Sequence, residues 1–191
     1  RVKNNLQTVA SLLRIQARRT HSDEARDALT QAMRRVDSIA VVHDTLAQGL
    51  TQKVDFDEVF HRVLKLVAEV ASAPNTRART RSTGRFGVLP SEYATPLALA
   101  LTEVVTNAVE HGLAGQEGMV TIDAARTEEN LRVTVHDTGK GLPEGRIGQG
   151  LGTQIIRTLI QGELSGSIEW RGSEGEGTEV VIDIPLRWLT K

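Results

Sequence analysis

Positions that are mostly apolar recur in the first fifty residues at alternating intervals of four and three. Val2, Leu6, Val9, Leu13 and Gln16 form one run; Ala25, Leu29, Ala32, Val36, Ile39, His43, Leu46 and Leu50 form another, after a break at Thr20-His21-Ser22-Asp23. A repeat of about 3.5 keeps one stripe of each helix turned toward a neighbour, so residues 1–50 are predicted to be a helical hairpin. Ser22 or Asp23 would cap the second helix and Gly49 would end it. One stripe on each of two helices does not close a core. Two hairpins packed as a four-helix bundle would, which predicts a homodimer; a hairpin laid against the rest of its own chain is the alternative. His43 falls on the apolar stripe and is expected to be a packed core imidazole.

The pattern changes after Gln48-Gly49-Leu50-Thr51-Gln52-Lys53, which reads as a linker. Asp55 and Glu58 have the spacing of a capping pair. The helix they open carries Val59, Phe60, Val63, Leu64, Val67, Val70 and Ala71 on one face and stops before Pro74. Residues 77–89 are basic and turn-rich, with room for two short strands. A long helix follows, from Ser91 or Thr95 to about His111. It buries Ala94, Leu97, Ala98, Leu101, Val105 and Ala108, and Pro96 suits its first turns best if Thr95 is the cap. Alternating segments predict strands near Met119–Ala125, Leu131–Asp137, Ser167–Arg171 and Thr178–Ile184, with a helix near Gly152–Gln161. Three helices over a mostly antiparallel sheet make a two-layer α/β sandwich for residues 51–191, and the whole chain falls in the α+β class.

Composition narrows the functions open to this architecture. The chain has 191 residues and a formal net charge of -1, so no global field draws it to nucleic acid or to an anionic membrane. It has no cysteine, which removes disulfides, thiolate metal sites and cysteine nucleophiles. No apolar run reaches membrane-spanning length and no signal peptide is visible, so a cytoplasmic location is expected. The chain opens at Arg1 inside a patterned segment, and is read as lacking an N-terminal part that would hold any sensor or membrane region.

Four short segments then carry the chemistry. On the long helix Glu103 and Asn107 are four apart and share a face, with Glu110 and His111 beside them; an amide oxygen there would serve magnesium, most of whose ligands are water and phosphate. Asp137 lies in line with Leu131, Val133 and Val135, so a carboxylate is set among aliphatics and needs a donor. The exocyclic amine of adenine would supply one, and Gly139 and Gly141 allow close approach of a ligand. Gly148-Gln-Gly150-Leu151-Gly152 opens an apolar helix, where free N–H groups bind phosphate. Thr178 shares a strand face with Val180, Ile182 and Ile184, and its hydroxyl could join Asp137 at the base. Lys140, Arg146 and Arg157 are either phosphate partners or solvated surface charges.

In this order the segments resemble the ATP-binding domain shared by histidine kinases, gyrase, Hsp90 and MutL, the GHKL or Bergerat fold. Glu103 and Asn107 match its first box, Asp137, Gly139 and Gly141 the second, Gly148, Gly150 and Gly152 the third, and Gly177 and Thr178 the last. Arg1-Val-Lys-Asn-Asn-Leu-Gln7 resembles the dimerisation helix of histidine kinases whose phosphoacceptor segment reads His-Arg-Val-Lys-Asn-Asn-Leu-Gln. Within that subfamily the chain is similar to actinobacterial sensor kinases that signal to antiterminator-type response regulators. The resemblance implies Mg-ATP as substrate, with Asn107 ligating Mg2+ and Glu103 orienting or deprotonating the attacking imidazole. Asp137 would hold adenine and the glycines would shape a lid around the phosphates; Thr178 matches the last motif, and His111, Lys140 and Leu151 are further candidates beside the nucleotide, although no role for Lys140 transfers by motif. It also implies a homodimer and a receiver domain as partner. The phosphoacceptor His would stand immediately before Arg1, on the helix face of Asn4, Gln7, Ser11 and Arg18. The stretch from Leu142 to Gly150 holds no Phe, so the aromatic box of many histidine kinases is absent. Two rivals remain open: an anti-sigma-factor-like serine kinase with the same ATP domain, and a nucleotide-binding dimer that only scaffolds.

Overall fold

The computed structural model describes residues 2–47, 53–71, 78–113, 117–142, 150–172 and 175–187. It divides into two compact units, Arg1–Leu50 and Thr51–Lys191.

The first unit is a hairpin of α1 (Val2–Arg19) and α2 (Asp23–Ala47). Ser22 is the cap of α2: its hydroxyl accepts the Ala25 N–H at 3.3 Å and its carbonyl accepts the Arg26 N–H at 3.0 Å. Asp23 and Glu24 fall in the first turn, where carboxylates complement the positive end of the helix. Gly49 lies outside the described residues. Of the expected stripe, Leu6, Leu13, Ala25, Leu29, Ala32, Val36 and Leu46 are half-buried in the single hairpin. Among the described side chains, Ala10 and Ala17 on α1 and Ala40 and Val42 on α2 are buried, whereas Val9, Leu12, Ile15, Ile39 and Val41 are exposed. Gln16 and His43 are exposed in the single hairpin as well. Small side chains at Ala10 and Ala17, seven apart on one face of α1, let two helix backbones approach closely.

The second unit begins with β1 (Lys53–Asp55) and α3 (Phe56–Ala71), followed by β2 (Ala78–Gly84), β3 (Val88–Pro90) and α4 (Ser91–Asn107). It continues with β4 (Gly118–Arg126), β5 (Asn130–Asp137), α5 (Leu151–Arg157), β6 (Ser167–Gly172) and β7 (Thr178–Pro185). The main sheet has five strands in the order β2-β4-β5-β7-β6, and all neighbours are antiparallel except β2 and β4. Lys53, expected in a linker, belongs instead to a strand that pairs with β3.

Helix α4 packs against both α3 and α5. Its expected inner face is buried in full: Ala94, Leu97, Ala98, Leu101, Val105 and Ala108. The helix starts at Ser91, not after a Thr95 cap, so Pro96 lies inside it. The missing N–H would have met the Glu92 carbonyl, a loss confined to the second turn, and Pro90 at φ -59° sets the entry. Sheet alternation gives the opposing layer. Leu131, Val133 and Val135 on β5 and Val180, Ile182 and Ile184 on β7 are buried, while Arg132 and His136 face solvent.

All three phenylalanines of the chain gather at one place, with the Phe86 ring 4.9 Å from Phe56 and 4.8 Å from Phe60. The Asp57 carboxylate fixes the turn that delivers Phe86, accepting the Phe86 and Gly87 N–H groups at 2.9 Å each. Asp55 accepts the Asp57 N–H at 3.2 Å and so caps α3.

Candidate active site

Alternation along β5 carries its last side chain, Asp137, into the interior with only 3% of its surface exposed. There its carboxylate accepts the Gly139 N–H at 2.9 Å and the N–H of Thr178, the residue opposite it on β7. Burial pushes the Asp137 carboxyl above its ordinary value; the two backbone N–H groups and the nearby His136 oppose that shift. Two donors do not exhaust an ionised carboxylate, which offers about four lone-pair sites. A third donor, such as an exocyclic amine, can therefore be accommodated.

Glycine builds the wall around this carboxylate. Gly177 has φ +80°, and a side chain there would overlap the Asp137 carbonyl oxygen. Gly141 is buried with φ +78°. The Gly175 N–H donates to the Lys140 carbonyl at 2.6 Å, so the loop after β5 is tied to the turn before β7. Thr178 is buried beside Asp137, in line with the aliphatics of its strand. The Lys140 side chain is exposed.

Glu103 and Asn107 lie on the half-buried face of α4, opposite the apolar face. Directly after Asn107 the helix widens into a π-type turn, Ala108–Gly112, closed by the Leu113 N–H on the Ala108 carbonyl at 3.0 Å. Such widened turns gather at functional sites. This turn contacts β5, so the Asn107 helix ends against the strand that carries Asp137. His111 is part of the turn, and its side chain lies outside the described residues.

Gly148 lies outside the described residues. Gly150 is the cap of α5, with its carbonyl accepting the Gln154 N–H at 3.2 Å, and Gly152 is buried in the first turn. Leu151 opens the helix; its side chain is not among those described. A Cβ at Gly150 would meet nothing within 4 Å among the described residues, and at φ -71° the backbone does not require glycine there. Of the basic candidates, Arg146 lies outside the described residues. Arg157 stands 5.3 Å over the Trp170 ring, a cation–π contact that gives it a structural role apart from phosphate. Sequence patterning missed Thr138, whose hydroxyl accepts the Met119 N–H at 3.0 Å just beyond the last paired residues of β4 and β5. As the unspecified middle residue of Asp-x-Gly it gave no signal.

Among the described residues no group of three or more His, Asp or Glu side chains could hold a metal ion, and no helix is long and apolar enough to cross a membrane.

A buried carboxylate walled by glycine, with an amide-bearing helix beside it, marks an ATP-binding domain of the GHKL type. A family model described as histidine kinase matches residues 1–71, and one described as histidine kinase-, DNA gyrase B-, and HSP90-like ATPase matches residues 92–187. Sensor histidine kinase PdtaS of Mycobacterium tuberculosis is 48% identical over 191 residues, covering 97% of this chain. PdtaS of Mycolicibacterium smegmatis is 47% identical over the same length. The histidine kinase domain of the blue-light activated histidine kinase of Erythrobacter litoralis superposes with a TM-score of 0.72 at 26% identity, covering 99% of this chain and 97% of that one. The chain belongs to the histidine kinase family. It spans 38% of the length of the PdtaS relatives.

Proposed function

We propose that the chain is the catalytic core of an ATP-dependent protein-histidine kinase. It would phosphorylate a His immediately before Arg1 and pass the phosphoryl group to an Asp on a response-regulator receiver domain. The observation that carries this reading is the buried Asp137, held by two backbone N–H groups with acceptor capacity to spare. Asp137 accepts the adenine amine and the Thr178 hydroxyl supports it. Asn107 offers its amide oxygen to Mg2+. That ion, when bound, neutralises phosphate charge, and the lack of an all-protein cage among the described residues suits a metal held mainly by phosphate and water. Gly148, Gly150 and Gly152 would offer backbone N–H groups to the phosphates, with His111, Lys140 and Leu151 as further nucleotide contacts; the room around Gly150 among the described residues supports a ligand approaching there. A neutral imidazole nitrogen attacks the γ-phosphorus in line as the bond to ADP breaks, and Glu103 orients the ring and takes its other N–H proton.

The hairpin presents the acceptor. Gln7, Ser11 and Arg18, on the helix face of that upstream position, are exposed. The exposed Val9, Leu12, Ile15 and Ile39 support a homodimer, because a second hairpin would remove them from water. The partner would be an antiterminator-type response regulator, and the setting cytoplasmic. Mg-ADP binding by this chain, and labelling by radioactive ATP when a His precedes Arg1, test the two halves of the reading.

A further inference from the structure

The two halves of the nucleotide site meet at one small junction. Leu113 closes the widened turn that follows Asn107 and is 2% exposed. It seats on Gly118, the first residue of β4: a Cβ at Gly118 would overlap Leu113 Cδ2 and stand 2.9 Å from Thr138 Oγ1. Thr138 follows Asp137 directly. Its N–H donates to the Met119 carbonyl at 3.1 Å and its hydroxyl accepts the Met119 N–H at 3.0 Å. These bonds hold the chain past Asp137 to β4 after the regular pairing stops at Val120.

We propose that Thr138 is a positioning residue for the nucleotide, which through Gly118 and Leu113 sets the spacing of Asn107 against Asp137. The proposal rests on the reading of Asp137 and Asn107 as nucleotide groups. A helix end and a strand end can drift relative to each other unless something pins both. Here the pin is a hydroxyl and a bare Cα, with a buried leucine between them and the helix. Loss of the hydroxyl frees the Met119 N–H and lets the β5 end move relative to α4. Adenine would still find Asp137, but the phosphates and Mg2+ would no longer meet Asn107 in register.

The test is calorimetry of the whole chain with adenosine, with ADP alone, and with ADP plus Mg2+. Thr138→Val should bind Mg-ADP about fivefold or more weakly, the scale of one lost hydrogen bond. Its adenosine affinity should stay near that of the parent, and Thr138→Ser should restore Mg-ADP binding. Gly118→Ala, which displaces Leu113 from the other side, should show the same selective loss. Equal losses for adenosine and Mg-ADP in Thr138→Val would overturn the proposal, as would a Thr138→Ser variant no better than Thr138→Val. A parent chain that binds no ADP would instead refute the nucleotide reading on which the proposal stands.

Discussion

Asp137 and Thr178 are partners twice over: they stand opposite each other in the β5–β7 ladder, and the Thr178 N–H donates to the Asp137 carboxylate. The strand that closes the glycine turn therefore holds the residue proposed to read the base. Asp137→Asn keeps the shape but gives up one acceptor oxygen, so ADP binding should weaken by about 1–3 kcal/mol, the range for an unmade buried hydrogen bond. Calorimetry showing unchanged ADP affinity would remove Asp137 from the adenine site.

Burial raises the Asp137 carboxyl, so the folded chain holds a proton there at a pH where the unfolded chain has lost it. Between the ordinary and the raised value unfolding releases that proton, and stability falls as pH rises. Asparagine does not titrate. The melting temperature of the parent relative to Asp137→Asn should therefore climb as pH drops into the carboxylate range, while ADP affinity declines as the carboxylate protonates. A difference in melting temperature that ignores pH would contradict the buried, proton-retaining carboxyl.

Much of this site was legible from the order of residues. Period-two alternation placed Asp137 and Thr178 on inward faces, and the inner face of α4 was read residue by residue; the structure buries all of it. The hairpin was legible as two helices, but its seam was not. Period 3.5 marks an apolar stripe without saying which of two adjacent rows packs first. In the single hairpin Ala10, Ala17, Ala40 and Val42 are buried, while Ile39 and His43 are exposed. The donors to Asp137 were hidden for another reason: they are backbone N–H groups, which any residue supplies. Thr138 escaped because its partner is a main-chain group on β4, fixed by strand register alone.

The exposed aliphatics of the hairpin give a separate test. Leu12→Glu combined with Ile39→Glu changes side chains that water already reaches in the single chain, so the hairpin should still form. In a dimer seam the same carboxylates would be buried without partners, which is strongly unfavourable. Light scattering should give a dimer for the parent at micromolar concentration and a monomer for the double variant. A monomeric parent would refute the four-helix arrangement.

Asn107→Asp should harm turnover more than nucleotide binding, because it adds negative charge beside the triphosphate while Asp137 still holds the base. The comparison calls for ADP affinity and the rate of autophosphorylation, both measured on a chain extended to include a His before Arg1. Wild-type rates in the variant would exclude Asn107 from the reacting site.

The central claim concerns where the phosphoryl group goes. None of His21, His43, His61, His111 or His136 joins the acceptor motif to the exposed face of α1, so the chain beginning at Arg1 should bind ATP without labelling itself. Extending it so that a His stands immediately before Arg1 should produce phosphate on the protein that is labile in acid and stable in base. Incubation of both chains with radiolabelled ATP is the decisive measurement. Label on the extended chain alone is the predicted result; stoichiometric label on His43 of the unextended chain would contradict the account.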